Sequence, residues 1–472
     1  MAETKRLVVV GGGITGLAAA HAARGIAREQ GRDLAVTLVE ESPRFGGNIV
    51  TAREGGFVLD GAADSWVANK PHASALAREL GLGDAMIGTT PENRRYYIAH
   101  EGRLHAVPEG LVLGVPTRAR ALTGTRLFSL PGKLRMALEL LVPRRRSEDD
   151  ESIADFARRR LGREAADRLV APLLGGISAG DATDLSVGAA FPQLVAMERE
   201  HGSLVRGMRA QQRARRAANG GREGSAFVTL GGGVGSLVDA LAKRLQGEDV
   251  ELRRGVGIRA IARAGDRWAL ATHGGDAIVA DAVLLAIPAH AASRLTSALD
   301  ATLEGMLGAM QSATTATVFL AYARADVGHP LDASGFVVPR SAGRPILAGT
   351  WVSSKWSGRA PEGQVLLRVF VGGPLAAAAL ERDDAELVRL ARGELRDLMG
   401  IAADPRMTRV FRFVRGSVQM RVGHADHMRA LRARLAEVAP RVAVAGGGYD
   451  GIGIPDCIRQ GQDAARALIA LT

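Results

Sequence analysis

Three glycines near the N-terminus, spaced G-x-G-x-x-G, constrain the fold of this chain more than any other feature. They are Gly11, Gly13 and Gly16. The run RLVVV before them predicts a short buried parallel strand, and the apolar run after them predicts a helix with charge on one face. A second predicted strand, AVTLVE, ends in the acid Glu40. This order of strand, glycine turn, helix and strand predicts a Rossmann-type βαβ unit that binds a dinucleotide.

Each residue of this motif has a physical role in such a unit. Gly11 permits the sharp turn, Gly13 lets the backbone approach a pyrophosphate, and Gly16 lets the helix pack on the strand. Amide groups at the helix N-terminus donate to the phosphates, and Glu40 accepts hydrogen bonds from ribose hydroxyls. A membrane helix is excluded, because it needs about 20 apolar residues without consecutive glycines. A signal peptide is excluded, because glycines interrupt the apolar core and His21 follows soon after.

Bulk composition narrows the class of partner. The chain has 472 residues, enough for two or three domains, and a net charge of +11. Because the charges are scattered without interleaved aromatic residues, we expect no nucleic-acid partner, while an acidic small molecule or anionic lipid stays open. The single cysteine, Cys457, excludes an intrachain disulfide and fits a reducing compartment. We expect no metal site, and we interpret the histidines of GHADH (Gly423 to His427) as hydrogen-bonding or surface residues.

Two further glycine-rich segments point towards a flavin. ESPRFGGNIV (Glu41 to Val50) follows the ribose acid at once and resembles the second signature of amine-oxidase-like flavoproteins. Near the C-terminus, VAVAG predicts another buried parallel strand, followed by a glycine loop and a helix from about Asp456. The N-terminus of that helix would face the electron-rich edge of a flavin. The glycines of Thr229 to Leu245 do not keep the G-x-x-G step, so we predict no second dinucleotide site there.

The middle of the chain differs in character. Val112 to Arg146 alternates basic and apolar residues at helix-like spacing, which suits either contact with an anionic membrane or a cap over a substrate pocket. A helix should follow with Ser147 or Ser152 as its cap. Met208 to Ser225 is predicted to be an exposed loop. The later segments TATVFLAYAR, GFVVP and VLLRVFVGG predict strands of a mixed sheet.

The chain as a whole resembles the porphyrinogen oxidases of haem biosynthesis, which oxidise protoporphyrinogen IX or coproporphyrinogen III. The resemblance rests on VVVGGGITGLAAA, VTLVEESPRFGGNI, GRLHAVPEG and GGGYDGIGIPDCIRQG, and above all on LGGISAGDATDLSVGAAFPQLVAMEREHGSL. It implies an α/β, amine-oxidase-like fold with a Rossmann-like FAD-binding domain, a mixed-sheet substrate domain and a helical cap or membrane-binding-like domain. The family usually has Gly-Pro where this chain has Ala62-Ala63, and Pro-Gln-Tyr where it has Val418-Gln419-Met420.

The resemblance also implies where the domains and sites lie. The FAD-binding domain takes residues 1–90, 222–298 and 412–472, the substrate domain 91–110 and 299–411, and the helical domain 111–215. The positions expected to bind FAD are Gly11, Gly12, Gly13, Ile14, Thr15, Gly16, Glu40, Glu41, Arg44, Gly46, Gly47, Asn48, Ala62, Ala63, Asp64, Ser65, Ile258, Gly447, Ile452, Gly453 and Ile454. The positions expected to bind the porphyrinogen are Arg95, Leu173, Gly176, Val337, Thr350 and Phe370. Arg95 matches, with a shift of one residue, an arginine that holds a substrate propionate in the protoporphyrinogen enzymes.

The implied reaction is a six-electron oxidation with oxygen as acceptor and peroxide as product. Because the substrate is electron-rich, we predict no catalytic side-chain base. The expected partners are the porphyrinogen, oxygen and a downstream ferrochelatase. The protein should be a monomer or homodimer in the cytoplasm, with attachment to the inner face of the membrane left open. An amine oxidase, a carotenoid desaturase and a non-catalytic flavoprotein remain alternatives, because all would share the FAD motifs.

Overall fold

The computed structural model describes residues 4–177, 179–218 and 224–471. The strands, in chain order, are β1 Lys5–Val10, β2 Leu34–Glu40, β3 Thr51–Glu54, β4 Phe57–Asp60, β5 Trp66–Val67, β6 Met86–Gly88, β7 Tyr97–His100, β8 Arg103–Ala106, β9 Leu111–Val112, β10 Val115–Pro116, β11 Phe227–Leu230, β12 Glu251–Arg254, β13 Ile258–Ala264, β14 Arg267–Thr272, β15 Ala277–Ala280, β16 Ala282–Leu285, β17 Ser312–Ala323, β18 Gly335–Val337, β19 Ile346–Trp351, β20 Gln364–Val371, β21 Met407–Val418 and β22 Val442–Val444. The helices are α1 Ile14–Glu29, α2 Pro71–Glu79, α3 Leu130–Ala137, α4 Ile153–Leu161, α5 Arg163–Ala165, α6 Ala171–Ile177, α7 Val187–Ala190, α8 Pro192–His201, α9 Leu204–Ala218, α10 Gly235–Gln246, α11 Ala289–Thr296, α12 Ala301–Gly308, α13 Val352–Lys355, α14 Ala377–Leu380, α15 Asp384–Met399, α16 His424–Val438 and α17 Ile454–Ala470.

A parallel sheet in the order β12-β2-β1-β16-β22 forms the centre of the nucleotide-binding part. Its strands read as continuous apolar runs because both faces are covered. Leu7 and Val9 point to the face covered by α1, α10 and α17, and Val8 and Val10 to the face covered by the β13-β14-β15 sheet and nearby helices. The predicted strands and helices of the βαβ unit and of the C-terminal segment are confirmed.

A mixed sheet in the order β21-β17-β20-β19-β18-β7-β8 forms the second layer. All of its pairs are antiparallel except β7 with β18. One face packs on α15 in an apolar core that contains Phe336, Trp351 and Val369. The other face therefore lies towards the rest of the molecule.

The helical part between β10 and β11 has its own apolar core, and here two predictions differ from the structure. Met208 to Ala218 is helical, as the second half of α9, and the prediction of a loop there is wrong. Alanine, arginine and glutamine are strong helix formers, and no glycine or proline interrupts them before Gly220. Residues 219–223 of that segment lie outside the described residues.

The basic stretch from Val112 to Arg146 is helical only in its second half. Its first half forms the β9–β10 hairpin and a short 3₁₀ turn, and α3 begins at Leu130 after the cap Ser129. Of the two caps suggested for the next helix, the structure selects Ser152, whose hydroxyl accepts a hydrogen bond from the Asp155 amide at 3.0 Å.

Candidate flavin and substrate site

The glycine turn between β1 and α1 is built as the sequence predicts. Gly11 has φ +107°, and a Cβ there would lie 2.5 Å from the Ala286 carbonyl oxygen. A Cβ on Gly16 would lie 1.9 Å from the Gly11 carbonyl oxygen, because α1 packs directly on the turn. Around Gly13, by contrast, no heavy atom lies within 4 Å of an added Cβ. The turn therefore leaves a cradle beside Gly13.

The helices α1 and α17 both begin at this edge of the sheet without a side-chain cap. Gly13 caps α1 and Gly453 caps α17, each in an extended conformation without a side-chain hydrogen bond. The two helices pack closely, since a Cβ on Gly461 of α17 would lie 2.2 Å from the Thr15 carbonyl oxygen of α1. Uncapped first-turn amides at the positive end of a helix suit the phosphates and the electron-rich edge of a dinucleotide.

Glu40 lies at the end of β2 with its carboxylate at the glycine turn. One oxygen accepts a hydrogen bond from the Gly12 amide at 2.6 Å, and the other accepts from the Ser42 amide at 2.9 Å. The neighbouring Glu41 is exposed, and its side chain lies beside Gly257, next to the predicted FAD residue Ile258 at the start of β13. This arrangement places an acid beside the glycine turn, and its contact with a ribose stays a prediction.

The second glycine signature folds back onto the first. The Gly46 amide donates to the Gly12 carbonyl at 2.8 Å, and Gly47 approaches the Gly13 backbone. Arg44 donates to three carbonyls of its own turn, those of residues 45, 47 and 49. Its guanidinium therefore shapes the turn, and Asn48 ties the turn to β21 through the Gly416 carbonyl at 3.1 Å.

The loop Ala62 to Ser65 lies between the glycine turns and the mixed sheet. Thr317 of β17 donates to the Gly61 carbonyl at 2.7 Å, and Ser65 donates to the Asp64 carboxylate at 2.8 Å. Ala63 is exposed, whereas Asp64 is buried. Burial would raise the pKa of Asp64, but the cations of Lys355 and Arg368 outweigh it and hold that pKa well below its ordinary range.

The C-terminal loop completes this side of the site. It contains the predicted residues Gly447, Ile452, Gly453 and Ile454, and it leads directly into α17. Lys70 pairs with Asp456 in the first turn of α17 at 2.6 Å, which joins the segment after β5 to that helix. Burial raises the pKa of the neighbouring Cys457 thiol to about 11, so this thiol stays protonated at neutral pH.

Three of the predicted substrate residues share one face of the mixed sheet. The β18–β19 register pairs Val337 with Ala348, and the β19–β20 register pairs Ala348 with Phe370 and Thr350 with Arg368. Val337, Thr350 and Phe370 are all partly exposed, although they lie on interior strands. This face is therefore the open side of the sheet.

Helix α6 borders this open face and carries two more predicted substrate residues. It packs against β18 and β19. Leu173 is half-buried against the core of the helical part, and no heavy atom lies within 4 Å of an added Cβ on Gly176. Helix α6 therefore lies directly beside the open face of the sheet.

The sixth predicted substrate residue, Arg95, lies with Asp332 and Tyr97 on the side of the sheet opposite the open face. Its guanidinium pairs with the Asp332 carboxylate at 2.7 Å and donates to the Asp332 carbonyl at 3.1 Å. Tyr97 donates to the same carboxylate at 2.9 Å. A role in substrate binding stays a prediction for Arg95, which would have to exchange Asp332 for a substrate carboxylate.

Sequence reasoning missed the buried ion cluster behind the Ala62–Ser65 loop. Lys355 and Arg368 pair with Asp64 there, and Arg359 pairs with the neighbouring Asp60. The sequence indicates one member of this cluster, because the charge of Arg368 inside the apolar run VLLRVFV needs a buried partner. The sequence does not indicate which partner that is.

The GHADH histidines make hydrogen bonds, as interpreted. His424 forms a hydrogen bond with the Tyr449 carbonyl at 2.9 Å, and His427 forms one with the Met306 carbonyl at 3.0 Å.

Among the described residues, no three His, Cys, Asp or Glu side chains are grouped to hold a metal ion. Within the same residues, no helix has both the length and the apolar character needed to cross a bilayer.

The profile of the flavin-containing amine oxidoreductases matches residues 14–469. The chain belongs to this family. The expected amine-oxidase-like fold and flavin cofactor are thereby confirmed. The residues present fit FAD, because an open cradle, two uncapped helix N-termini and a ribose acid converge on one edge of the parallel sheet.

Similar proteins extend the comparison over the whole chain. The coproporphyrinogen III oxidase of Bacillus subtilis is 35% identical, with 98% of this chain and 97% of that protein covered. The coproporphyrinogen III oxidase of Staphylococcus aureus is 32% identical, with 99% of each covered. Among solved structures, a protoporphyrinogen oxidase candidate from Exiguobacterium sp. 255-15 superposes with a TM-score of 0.88 at 33% identity, covering 100% of both chains.

Proposed function

We propose that the protein is an FAD- and oxygen-dependent porphyrinogen oxidase of haem biosynthesis. It removes six electrons from coproporphyrinogen III, from protoporphyrinogen IX or from both. The observation that carries this proposal is the open face of Val337, Thr350 and Phe370, which adjoins the loop beside the flavin cradle. A flat, largely apolar wall suits a macrocycle. The full-length similarity to coproporphyrinogen III oxidases supports the same substrate class.

Bound FAD supplies a two-electron acceptor that oxygen can reoxidise. The chain's own task is to position the substrate, because an electron-rich porphyrinogen needs no strong base. Phe370 and Val337 offer apolar contact to the macrocycle, and α6 lies beside them against β18 and β19. The net charge of +11 favours the approach of a polyanion.

An amine oxidase is the main alternative, and the tyrosines argue against it. Such an enzyme would need an aromatic cage at the substrate face. Tyr322 and Tyr449 are only 1% exposed. Tyr97 points to the opposite side of the sheet, where it contacts Trp351 and hydrogen-bonds to Asp332. These three rings are therefore committed to packing, and the fourth tyrosine, Tyr96, packs against the apolar core of the helical part.

The proposal is tested by the growth of porphyrin fluorescence in air. Purified FAD-loaded protein receives coproporphyrinogen III or protoporphyrinogen IX in separate assays, with peroxide measured in parallel. A larger kcat/KM for the four-carboxylate substrate would place the enzyme in the coproporphyrin route. A preference for the two-carboxylate substrate would place it in the protoporphyrin route. Fluorescence with neither substrate would overturn the proposal and favour an amine oxidase or carotenoid desaturase.

For localisation we propose a cytoplasmic protein that touches the membrane through one ridge of leucines. Leu130, Leu134, Leu138 and Leu141 recur at helical spacing and are 79%, 63%, 42% and 75% exposed. Between residues 112 and 146 the only acid is Glu139, which is fully buried on Arg160, so this surface is basic. Exposed leucines flanked by cations suit an anionic lipid surface.

Vesicle sedimentation tests this contact. Vesicles with anionic lipid should pull down the wild type but not Leu134→Asp, while vesicles of neutral lipid should bind both weakly. Leu375→Asp is the matched control, because Leu375 is also exposed, at 55%, but lies outside the ridge. Equal sedimentation of all variants would contradict the membrane contact. Transfer of product to a ferrochelatase, and the choice between monomer and homodimer, stay predictions.

A further inference from the structure

The ion cluster behind the Ala62–Ser65 loop is buried and contains more cations than carboxylates. Lys355 pairs with Asp64 at 2.8 Å, and Arg368 lies 3.4 Å from the same carboxylate. Arg359 pairs with Asp60 at 3.1 Å. Placing this many charges out of water is costly, and removing one partner of a buried pair is strongly destabilising. Such a cluster therefore fixes the backbone around it.

Arg368 makes the contacts that join the two halves of the site. It lies on β20 and is 3% exposed. One terminal nitrogen donates to two carbonyls of the loop, that of Asp60 at 2.6 Å and that of Ala62 at 3.1 Å. The same guanidinium lies 4.3 Å from the centroid of the Phe370 ring. One side chain thus holds the loop beside the flavin cradle and an aromatic wall of the substrate face.

No other cation of the cluster has this double contact among the described interactions. Lys355 reaches Asp64 from α13, and its ring contacts are with Phe227 and Trp356 and not with Phe370. The hydrogen bonds of Arg359 go to Thr229 and Leu230 of β11. Arg368 is therefore the member of the cluster that connects the cofactor side to the substrate side.

We infer that Arg368 is a positioning residue for the oxidation. It holds the Asp60–Asp64 backbone in the conformation that receives the flavin, and it fixes the Phe370 ring relative to that backbone. The inference rests on the proposed function for its substrate side. Its cofactor side is independent of the substrate, because FAD binding can be measured alone.

The experiment compares Arg368→Met, Arg368→Lys and a matched control. Arg24→Met is that control, because Arg24 also clamps two backbone carbonyls, those of Leu34 at 2.7 Å and Glu248 at 2.9 Å. Leu34 starts β2, so this clamp lies at the end of the parallel sheet opposite the glycine turn. FAD affinity is measured by flavin fluorescence quenching, the flavin absorption spectrum is recorded, and thermal unfolding of each apo protein is followed.

Arg368→Met is expected to weaken FAD binding by about tenfold, since charge-assisted hydrogen bonds to two carbonyls are lost. It should also change the fine structure of the flavin spectrum. The ratio of reduced to oxidised flavin at a fixed dye potential should fall, because removing a cation from the cluster behind this loop disfavours the more negative, reduced flavin. Arg368→Lys keeps the charge and should restore this ratio while recovering the affinity only in part. In porphyrinogen assays, kcat should fall more than KM rises.

Two results would overturn the inference. One is an Arg368→Met protein whose FAD affinity, spectrum and redox ratio match those of Arg24→Met. The other is an Arg368→Lys protein whose FAD affinity, flavin spectrum and redox ratio change as much as those of Arg368→Met. If Arg368→Met does not fold, the lysine variant still gives these readouts. A wild type that binds FAD but oxidises no porphyrinogen would refute the proposed function while leaving the cofactor side of the inference open to the same measurements.

Discussion

Replacing Gly13 with alanine should weaken FAD binding without destabilising the apo protein. Gly13 has φ −69° and ψ 174°, a conformation that alanine adopts without strain. No heavy atom lies within 4 Å of the added Cβ, so the fold itself has room for the methyl group. The unfolded chain, however, loses conformational freedom. The apo protein should therefore be unchanged or more stable by about 0.4–1 kcal/mol.

The same methyl group would enter the cradle where the pyrophosphate is expected. Overpacking of a close-fitting site costs about 1–3 kcal/mol. A loss of about 2 kcal/mol is roughly a thirtyfold increase in the Kd for FAD. Gly16→Ala should behave differently, because its Cβ would lie 1.9 Å from the Gly11 carbonyl oxygen, so it should destabilise the apo protein as well.

Urea unfolding of the apo proteins and FAD titration by fluorescence quenching measure these two effects separately. Gly25→Ala is the control, because Gly25 lies in α1, has no heavy atom within 4 Å of an added Cβ and is remote from the turn. It should stabilise the fold and leave FAD binding unchanged. Wild-type FAD affinity in Gly13→Ala would refute the placement of the cofactor at this turn.

Three further changes test single contacts of the site. Glu40→Gln should raise the Kd for FAD about tenfold in the same titration, because the charged bonds to the ribose and to the Gly12 amide are weakened. Arg95→Leu should leave KM for a porphyrinogen unchanged, because Arg95 pairs with Asp332 on the side of the sheet away from the open face, whereas a rise in KM of about tenfold would assign Arg95 to the substrate. Asp64→Asn should cost roughly 3 kcal/mol of unfolding free energy at pH 7. The pKa of Asp64 is depressed in the fold, so its contribution to the free energy of unfolding is present above the ordinary pKa of 3.8 and is lost as the pH falls below that value. In urea unfolding from pH 7 to pH 3, the free energy of unfolding should therefore fall less steeply in Asp64→Asn than in the wild type.

The cofactor half of the fold could be predicted because its signals are local. The strand before Gly11, the helix after it and the acid Glu40 all follow from short-range patterns of apolar residues and glycine. The same holds for α17, whose start is marked by the glycine loop and Pro455. In such segments, local preference and tertiary packing favour the same structure.

The parts that the sequence did not reveal depend on contacts between distant segments. The pairing of Arg368 with a loop some 300 residues earlier follows from how the mixed sheet packs on that loop. Likewise, nothing local shows that Arg95 is paired with Asp332. The polar composition of Met208 to Ala218 is typical of an exposed loop, yet its alanine, arginine and glutamine residues have high helix propensity and form a helix.

The most direct test of the central claim is flavin reduction without oxygen. Purified FAD-loaded protein is mixed anaerobically with coproporphyrinogen III, and separately with protoporphyrinogen IX, while the visible absorbance of the flavin is followed. The account predicts rapid bleaching with at least one of these substrates, recovery of the absorbance when air is admitted, and porphyrin as the product. A flavin that stays oxidised with both, yet is bleached by a primary amine, would contradict the account and assign the site to amine oxidation.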